Sequence, residues 1–230
     1  MSTVFSGTHS RRTLLRAGLF IGGAVAAPSI LRSSESNRAF LPEPGASAAA
    51  AAEPPAMSVP NGVRPELFHR ALAALDRHSG RIAKRDIIAI ADFNDFSAKP
   101  RFQLINLEDG SVKELLVAHG SGSDPKHSGY VQHFSNEPGS NATCEGAFVT
   151  SNYYTGKHGH SQRVDGLDPT NNNARDRAIV IHGAWYANAD MIDKYGQLGR
   201  SQGCFAVGEK HLKQVFAKLG EGRLLYAGKA

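Results

Sequence analysis

Two residues that are far apart in the chain have the side chains needed for nucleophilic catalysis. Cys204 directly follows Gly203, and His182 follows the apolar run 179–181. A thiol becomes a good nucleophile only when a neighbouring base or cation favours its thiolate. An imidazole at the end of a buried strand is well placed to be that base. We therefore predict that Cys204 is a nucleophile and that His182 accepts its proton.

Each of these residues, taken alone, also fits an ordinary structural role. A cysteine before an apolar segment is often a small buried hydrophobe, and a histidine in a strand is often a satisfied core residue. The glycine before Cys204 favours chemistry, because it lets a substrate carbonyl approach the backbone closely. We expect the N–H groups of Gly203 and Cys204 to form an oxyanion hole, in which one donor contributes about 3–4 kcal/mol.

The spacing between the two residues is more informative than either residue alone. His182-Gly183 is followed by a spacer of 17 residues, 184–200, and then by Ser-x-Gly-Cys at 201–204. This pattern resembles the signature of the L,D-transpeptidases, the YkuD-like enzymes that cross-link peptidoglycan. Segment 145–150 is similar to a strand of that family, and 153–167 is similar to an exported subgroup of it.

The resemblance implies a substrate and a mechanism. The substrate would be a peptidoglycan stem tetrapeptide, whose L-side carbonyl is attacked by Cys204 to give a thioester. His182 would move the protons, oriented by the backbone carbonyl of Gly183. An amine acceptor would then complete a transpeptidation, whereas water would make the same enzyme an L,D-carboxypeptidase. The sequence leaves these two outcomes open.

Two positions depart from the commoner family pattern. Gln202 stands where that pattern has a second histidine, and Ala206 stands where asparagine or arginine is usual. The first change removes a possible positive neighbour of the thiolate, and the second removes a polar support or substrate contact. A catalytically weak or silent wall-binding protein is therefore an alternative from a different functional class.

Several other residues are predicted to contact the substrate. Arginine suits bidentate binding of the stem-peptide carboxylates, and aromatic side chains suit pocket walls. For each of them the alternative is a solvated surface charge or a rim position. The predicted substrate-binding residues are Ser201, Gln202, Arg200, Lys157, His158, Tyr154, Arg163 and Trp185.

Other functional classes fit the sequence less well. The ten histidines include no His-Glu-x-x-His, and His158-Gly159-His160 has no third ligand at a recognisable spacing, so we predict no metal and no cofactor. The net charge of +5 is spread along the chain without a basic cluster, which argues against nucleic-acid binding. Cys144 is expected to be a free structural thiol, although a disulfide with Cys204 would block the nucleophile.

The first part of the chain has the composition of an export signal. Arg11-Arg12 is followed by an apolar run rich in glycine and alanine, a layout typical of twin-arginine signals. We predict a signal peptide over 1–32, a disordered linker over 33–62 and a catalytic domain over 63–230. The protein would act in the periplasm or cell envelope, with no stable membrane span after signal removal.

The folded part is predicted to be a β-rich α+β domain: an L,D-transpeptidase-like β-sandwich or mixed sheet with peripheral helices. The polar segments 120–142 and 152–177 are expected to be long binding loops. Helices are predicted at 65–77, 188–195 and 208–219. Strands are predicted at 86–93, 101–107, 111–119, 145–151, 178–182 and 222–227.

Overall fold

The computed structural model describes residues 57–230. The predicted signal peptide over 1–32 and most of the predicted linker lie outside the described residues. At the end of the predicted linker, the Gly62 carbonyl accepts a hydrogen bond of 2.7 Å from Gln103 Nε2. Among residues 57–230, no helix is both long enough and apolar enough to cross a membrane.

Strands dominate this part of the chain and helices are few. The helices are α1 (Pro65–Arg77), α2 (Asp190–Tyr195) and α3 (Leu212–Leu219). The strands are β1 (Ile87–Asp92), β2 (Phe102–Asn106), β3 (Val112–Leu115), β4 (Val117–Ala118), β5 (Gly146–Gly156), β6 (Gly159–Gly166), β7 (Val180–Gly183), β8 (Phe205–Val207) and β9 (Leu224–Gly228). Short 3₁₀ helices lie at Ser121–Ser123, Trp185–Ala187 and Glu209–His211.

The nine described strands form one mixed sheet in the order β3-β2-β1-β9-β5-β6-β7-β8-β4. Two neighbouring pairs, β1 with β9 and β7 with β8, run parallel. The other pairs are antiparallel. The two edge strands, β3 and β4, are separated in the chain by Leu116 alone. The sheet must therefore curl until its two edges approach each other.

The core forms because successive side chains along each strand point to opposite faces of the sheet. In β1, Ile88 and Ile90 pack with the buried face of α1, whereas Ala89 and Ala91 face the interior of the curled sheet. Every strand contributes at least one buried side chain to that interior, and Val215 of α3 packs against it. The interior is thus enclosed by a single curved sheet, and β7 and β8 are neighbours within that sheet.

The predicted β-rich α+β class is confirmed, but one predicted loop is wrong. Residues 152–166 continue β5 and form β6, so the two strands make a long hairpin that turns at Lys157 and His158. The segment was predicted as a loop because it is polar and lacks alternating apolar residues. Its buried Gln162 instead donates hydrogen bonds through Nε2 to the backbone carbonyls of Ser151 and Gly220.

A substitution of Phe205 tests the core packing beneath the site. It is fully buried, with its ring 5.3 Å from that of Phe148 and 6.4 Å from that of Phe93. We expect Phe205→Ala to lower the free energy of unfolding by about 3–5 kcal/mol, because it leaves a cavity in the core. Chemical denaturation followed by circular dichroism measures this change. As a control, Tyr130→Ala at an exposed position should change stability by about 0.5 kcal/mol; equal losses would contradict the packing described.

Candidate active site

The parallel pairing of β7 and β8 brings the two predicted catalytic residues to one cavity. His182 lies on β7 opposite Ala206 of β8, and Cys204 immediately precedes β8. Both His182 and Cys204 line a cavity of about 610 Å³. The structure thus joins residues that are 22 positions apart in the sequence.

The cysteine ends a tight turn that is held by a serine. Ser201 Oγ donates to the Cys204 carbonyl at 2.7 Å and accepts from the Gly203 N–H at 3.1 Å. The expectation that the Gly203 N–H is free for an oxyanion is therefore not met, because this N–H is already bonded. The 4% exposure of Ser201 likewise makes it a support of the turn more than a substrate contact.

The same turn is packed against a neighbouring backbone. Ser201 N–H donates to the His119 carbonyl, and its own carbonyl accepts from the Ser121 N–H, both at 2.8 Å. A Cβ on Gly120 would lie 2.8 Å from Gly203 Cα. Gly203 itself has φ of +110°, a conformation that favours glycine. Both glycines are needed for the close approach that fixes Cys204.

His182 is held in one orientation by its neighbours. Its Nδ1 lies 2.9 Å from the Gly183 carbonyl, so Nδ1–H donates and Nε2 keeps the lone pair that a base requires. The ring of His158, from the β5–β6 turn, stacks on it with centroids 4.3 Å apart and an interplanar angle of 21°. Burial lowers the pKa of His182, and nearby His158 and Lys157 lower it further, while the Gly183 hydrogen bond opposes the change.

The thiol of Cys204 is buried at 8% exposure and donates to the Ala178 carbonyl at 3.6 Å. Ala178 is a non-glycine residue with φ of +54°, a strained conformation of the kind found at functional sites. Burial raises the pKa of Cys204. The raised thiol pKa and the lowered imidazole pKa both favour an uncharged thiol and a neutral imidazole in the resting pair.

Arg177 is a residue of this site that the sequence analysis missed. Its guanidinium donates to the carbonyls of Ser135 at 2.7 Å and Ala142 at 2.5 Å, and to Ser140 Oγ at 3.2 Å. All three acceptors are neutral oxygens, so the positive charge is not cancelled by them. Arg177 lines the cavity, and together with Lys157 it opposes the effect of burial on the thiol pKa.

Tyr186 is a second missed residue and forms a wall of the cavity. Burial raises the pKa of Tyr186 to about 12, and the nearby Cys204 adds to the rise, so the hydroxyl stays protonated as a donor. A Cβ on Gly199 would lie 2.6 Å from Tyr186 Cβ, so this glycine is needed for the ring's position. The only signal for it in the sequence is Gly199, the glycine before Arg200.

The predicted substrate-binding residues divide into two groups. Those that line the thiol cavity are Tyr154, Lys157, His158, Arg200, Ser201 and Gln202. Arg163 is outside this lining because it lies on β6 and its guanidinium covers the Tyr154 ring at 4.2 Å. Trp185 is also outside it, since the 3₁₀ turn after β7 directs it to a neighbouring cavity. Arg163 and Trp185 therefore do not line the thiol cavity, and their assignment as substrate-binding residues stays a prediction.

His119 and the second cysteine, Cys144, have structural surroundings. His119 is buried; its Nδ1 accepts from Arg101 at 2.6 Å, and its Nε2 lies 3.3 Å from Asp124 Oδ2. Burial lowers the pKa of His119 to about 4. Cys144 is free and fully buried, and burial raises its pKa to about 11. In the described part of the chain no group of three or more His, Cys, Asp or Glu residues is arranged to hold a metal ion.

Comparison with known proteins identifies relatives of this chain. A family model described as the L,D-transpeptidase catalytic domain matches residues 60–227. No curated protein sequence matches the chain. The match begins before α1, ends at Ala227 within β9 and includes both His182 and Cys204.

Solved structures that match this chain have low sequence identity to it. An L,D-transpeptidase from Mycobacterium smegmatis is 14% identical with a TM-score of 0.39, covering 62% of this chain and 58% of that chain. L,D-transpeptidase 3 from Mycobacterium tuberculosis, in complex with a faropenem-derived adduct, is 10% identical with a TM-score of 0.40, covering 62% and 60%. This chain therefore spans less than two thirds of the length of either protein.

Arg177 gives a direct test of the electrostatics around the thiol. We expect Arg177→Gln to raise the pKa of Cys204, because a cation that favours the thiolate is removed. The pH profile of alkylation by iodoacetamide, followed by mass spectrometry of the Cys204 peptide, should move to higher pH and the rate at neutral pH should fall severalfold.

Arg175→Gln is the matched control for this change. Arg175 lies two residues away but pairs with Asp165 at 2.5 Å and does not line the cavity. Its variant should keep the wild-type profile. Arg177→Lys should give a smaller displacement than Arg177→Gln, since it retains the charge; identical profiles for the wild type and Arg177→Gln would contradict the assigned role.

Proposed function

This chain belongs to the L,D-transpeptidase catalytic domain family, and we propose that it is a cysteine acyltransferase that forms cross-links between peptidoglycan stem peptides. Cys204 is the proposed nucleophile and His182 the proposed base. The observation that supports this most directly is the Nδ1 contact of His182 with the Gly183 carbonyl. It leaves Nε2 as the free base on the cavity that also contains the thiol.

The first half-reaction acylates the thiol. Sγ of Cys204 attacks the carbonyl carbon on the L side of the L,D bond, and Nε2 of His182 takes the thiol proton. The bond to the D-residue then breaks, and the imidazolium gives its proton to the departing amine. The products are a thioester on Cys204 and a free D-amino acid. Because the pKa shifts of both groups favour the uncharged pair, proton transfer to His182 accompanies the attack in this proposal.

The second half-reaction returns the enzyme to its starting state. An amine of a second stem peptide attacks the thioester carbonyl and loses its proton to His182. The carbon–sulfur bond breaks, Cys204 recovers its proton from the imidazolium, and an amide cross-link is released. The Cys204 N–H remains the backbone donor proposed for the oxyanion in both steps.

The charges around the cavity support an anionic peptide as substrate. Its lining holds three permanent cations, Lys157, Arg177 and Arg200, and one carboxylate, Asp176. Stem peptides carry free carboxylates, which bind well to such cations. We propose that Lys157 and Arg200, with His158, Gln202 and Tyr154, contact the stem peptide.

Water as the acceptor would turn the same chemistry into an L,D-carboxypeptidase reaction. Nothing in the cavity lining separates an amine from water, so this is the second candidate activity. A wall-binding protein without turnover is the third, because Gln202 and Ala206 depart from the commoner pattern. We also propose export to the periplasm or cell envelope, where these substrates lie.

Turnover of muropeptides distinguishes the three candidates. Purified disaccharide-tetrapeptides are incubated with the protein and the products are analysed by mass spectrometry. We expect dimers from the wild type and none from Cys204→Ala, because the thioester cannot form. Cys144→Ala is the matched control: its thiol is buried in the core, so activity should persist. Trimmed monomers alone would indicate the carboxypeptidase, and activity of Cys204→Ala would contradict the nucleophile assignment.

The pH profile of the reaction tests His182 as the base. A protonated imidazole cannot accept the thiol proton, so activity falls as pH decreases through the pKa of His182. That pKa is lowered from the ordinary value of 6.5, so the acidic limb should lie below pH 6.5. His158→Gln should move the limb to higher pH, because it removes both a neighbouring charge and part of the burial.

His160→Gln is the control for the pH experiment. His160 belongs to the same hairpin, but its ring stacks on Tyr153 at 5.4 Å instead of on His182. Its variant should keep the wild-type limb. If the His158→Gln limb stays in place or moves to lower pH, His182 is not the group that controls it.

A further inference from the structure

A second cavity, of about 540 Å³, lies beside the thiol cavity. The two cavities share Tyr186 and Arg200 as lining residues, so they are direct neighbours. The residues lining the second cavity are His127, Trp185, Tyr186, Met191, Tyr195, Gln197, Gly199 and Arg200. None of these belongs to the catalytic dyad proposed above.

The aromatic rings of this second cavity are unusually exposed. Trp185 is 64% exposed and Tyr195 is 57% exposed, and within residues 57–230 they are the two most exposed of the large hydrophobic side chains. Trp185 meets Tyr186 edge to face at 5.8 Å. Two such rings in one concave site have no role in the core, and clustered apolar exposure of this kind marks a binding surface.

The polar groups of the cavity are fixed by the backbone. Gln197 Nε2 donates to the His127 carbonyl at 2.9 Å, and His127 Nε2 lies 2.9 Å from the Leu198 carbonyl. Arg200 donates to the Asp124 carbonyl. The lining contains no carboxylate. A ligand therefore meets oriented amide and guanidinium groups between exposed aromatic faces, at little cost in side-chain ordering.

We propose that this second cavity binds a saccharide ring of the glycan strand that carries the stem peptide. The proposal rests on the function proposed above and extends it from the peptide to the glycan part of the same substrate. A pyranose has an apolar face of C–H groups that packs on Trp185 and Tyr195, and a rim of hydroxyl and N-acetyl groups that hydrogen-bond to Gln197 and Arg200.

The shape of the cavity favours a saccharide over a protein partner. Its volume falls in the range of about 300–1,000 Å³ that small-molecule sites occupy. A stable protein interface needs about 800 Å² of each partner, which two exposed rings do not supply. Because the stem peptide is covalently attached to its sugar, the sugar of a peptide bound in the thiol cavity is tethered to that cavity, and the second cavity adjoins it through Tyr186 and Arg200.

The chain contains one tryptophan, so its fluorescence reports on Trp185 alone. The full chain with Cys204→Ala is titrated with a peptide-free tetramer of N-acetylglucosamine. We expect a saturable change in emission, because a stacked sugar removes water from the indole. Tyr195→Ala in the same background should weaken binding about fivefold, the loss of one stacking contact. Tyr130→Ala, an exposed aromatic outside the cavity lining, should bind as tightly as its parent.

A kinetic comparison supplies a second readout. Tyr195→Ala should raise KM for disaccharide-tetrapeptide about fivefold more than KM for free tetrapeptide, since only the former carries the sugar. Equal changes in both KM values, or no fluorescence response to the saccharide, would overturn the proposal. A response to an apolar dye without one to the saccharide would also overturn it, in favour of an apolar partner. The fluorescence arm needs no turnover, so its result is independent of the proposed acyl transfer.

Discussion

Parallel pairing of β7 with β8 is the constraint on which the site depends. Two parallel strands cannot be joined by a tight turn, and they need a crossover of a dozen or more residues. Residues 184–200 form most of this crossover, through a 3₁₀ turn and α2, before the turn that contains Cys204. The 17-residue spacer in the sequence is therefore the length needed to return to the sheet beside His182. The same crossover contains Trp185, Tyr186 and Tyr195, so this segment also lines the second cavity.

The sequence predicted the parts of the fold where local pattern and environment agree. Helix α1 follows its apolar stripe and its N-terminal proline, and β1 and β7 follow their isoleucine-rich runs. The β5–β6 hairpin was not predictable in this way, because its buried polar side chains are satisfied by backbone carbonyls from other segments. Such strands form because of tertiary contacts, which cannot be read from a single sequence.

The candidate site likewise has a part that the sequence predicted and a part that it did not. The spacing predicted that His182 and Cys204 meet at one cavity, and the family resemblance implied that the Gly183 carbonyl orients the imidazole. Arg177 gave no signal, because its position depends on acceptors from the separate segment 135–142. Arg177 supplies a positive charge from outside the motif. This charge lies in the site where Gln202 stands in place of a second histidine, which would have been a positive neighbour of the thiolate. A charge that a motif lacks can thus come from a residue that is distant in the sequence but close in the fold.

The single-residue link between β3 and β4 has a consequence for how the sheet meets other chains. Open sheet edges accept strands from other chains, which is how many proteins aggregate and how extended peptides add to a sheet. Here each edge is a short strand of one continuous segment, four residues in β3 and two in β4. The exposed Lys113 and Glu114 place charges on the longer of the two. The two edges of this sheet thus offer little free backbone to foreign strands.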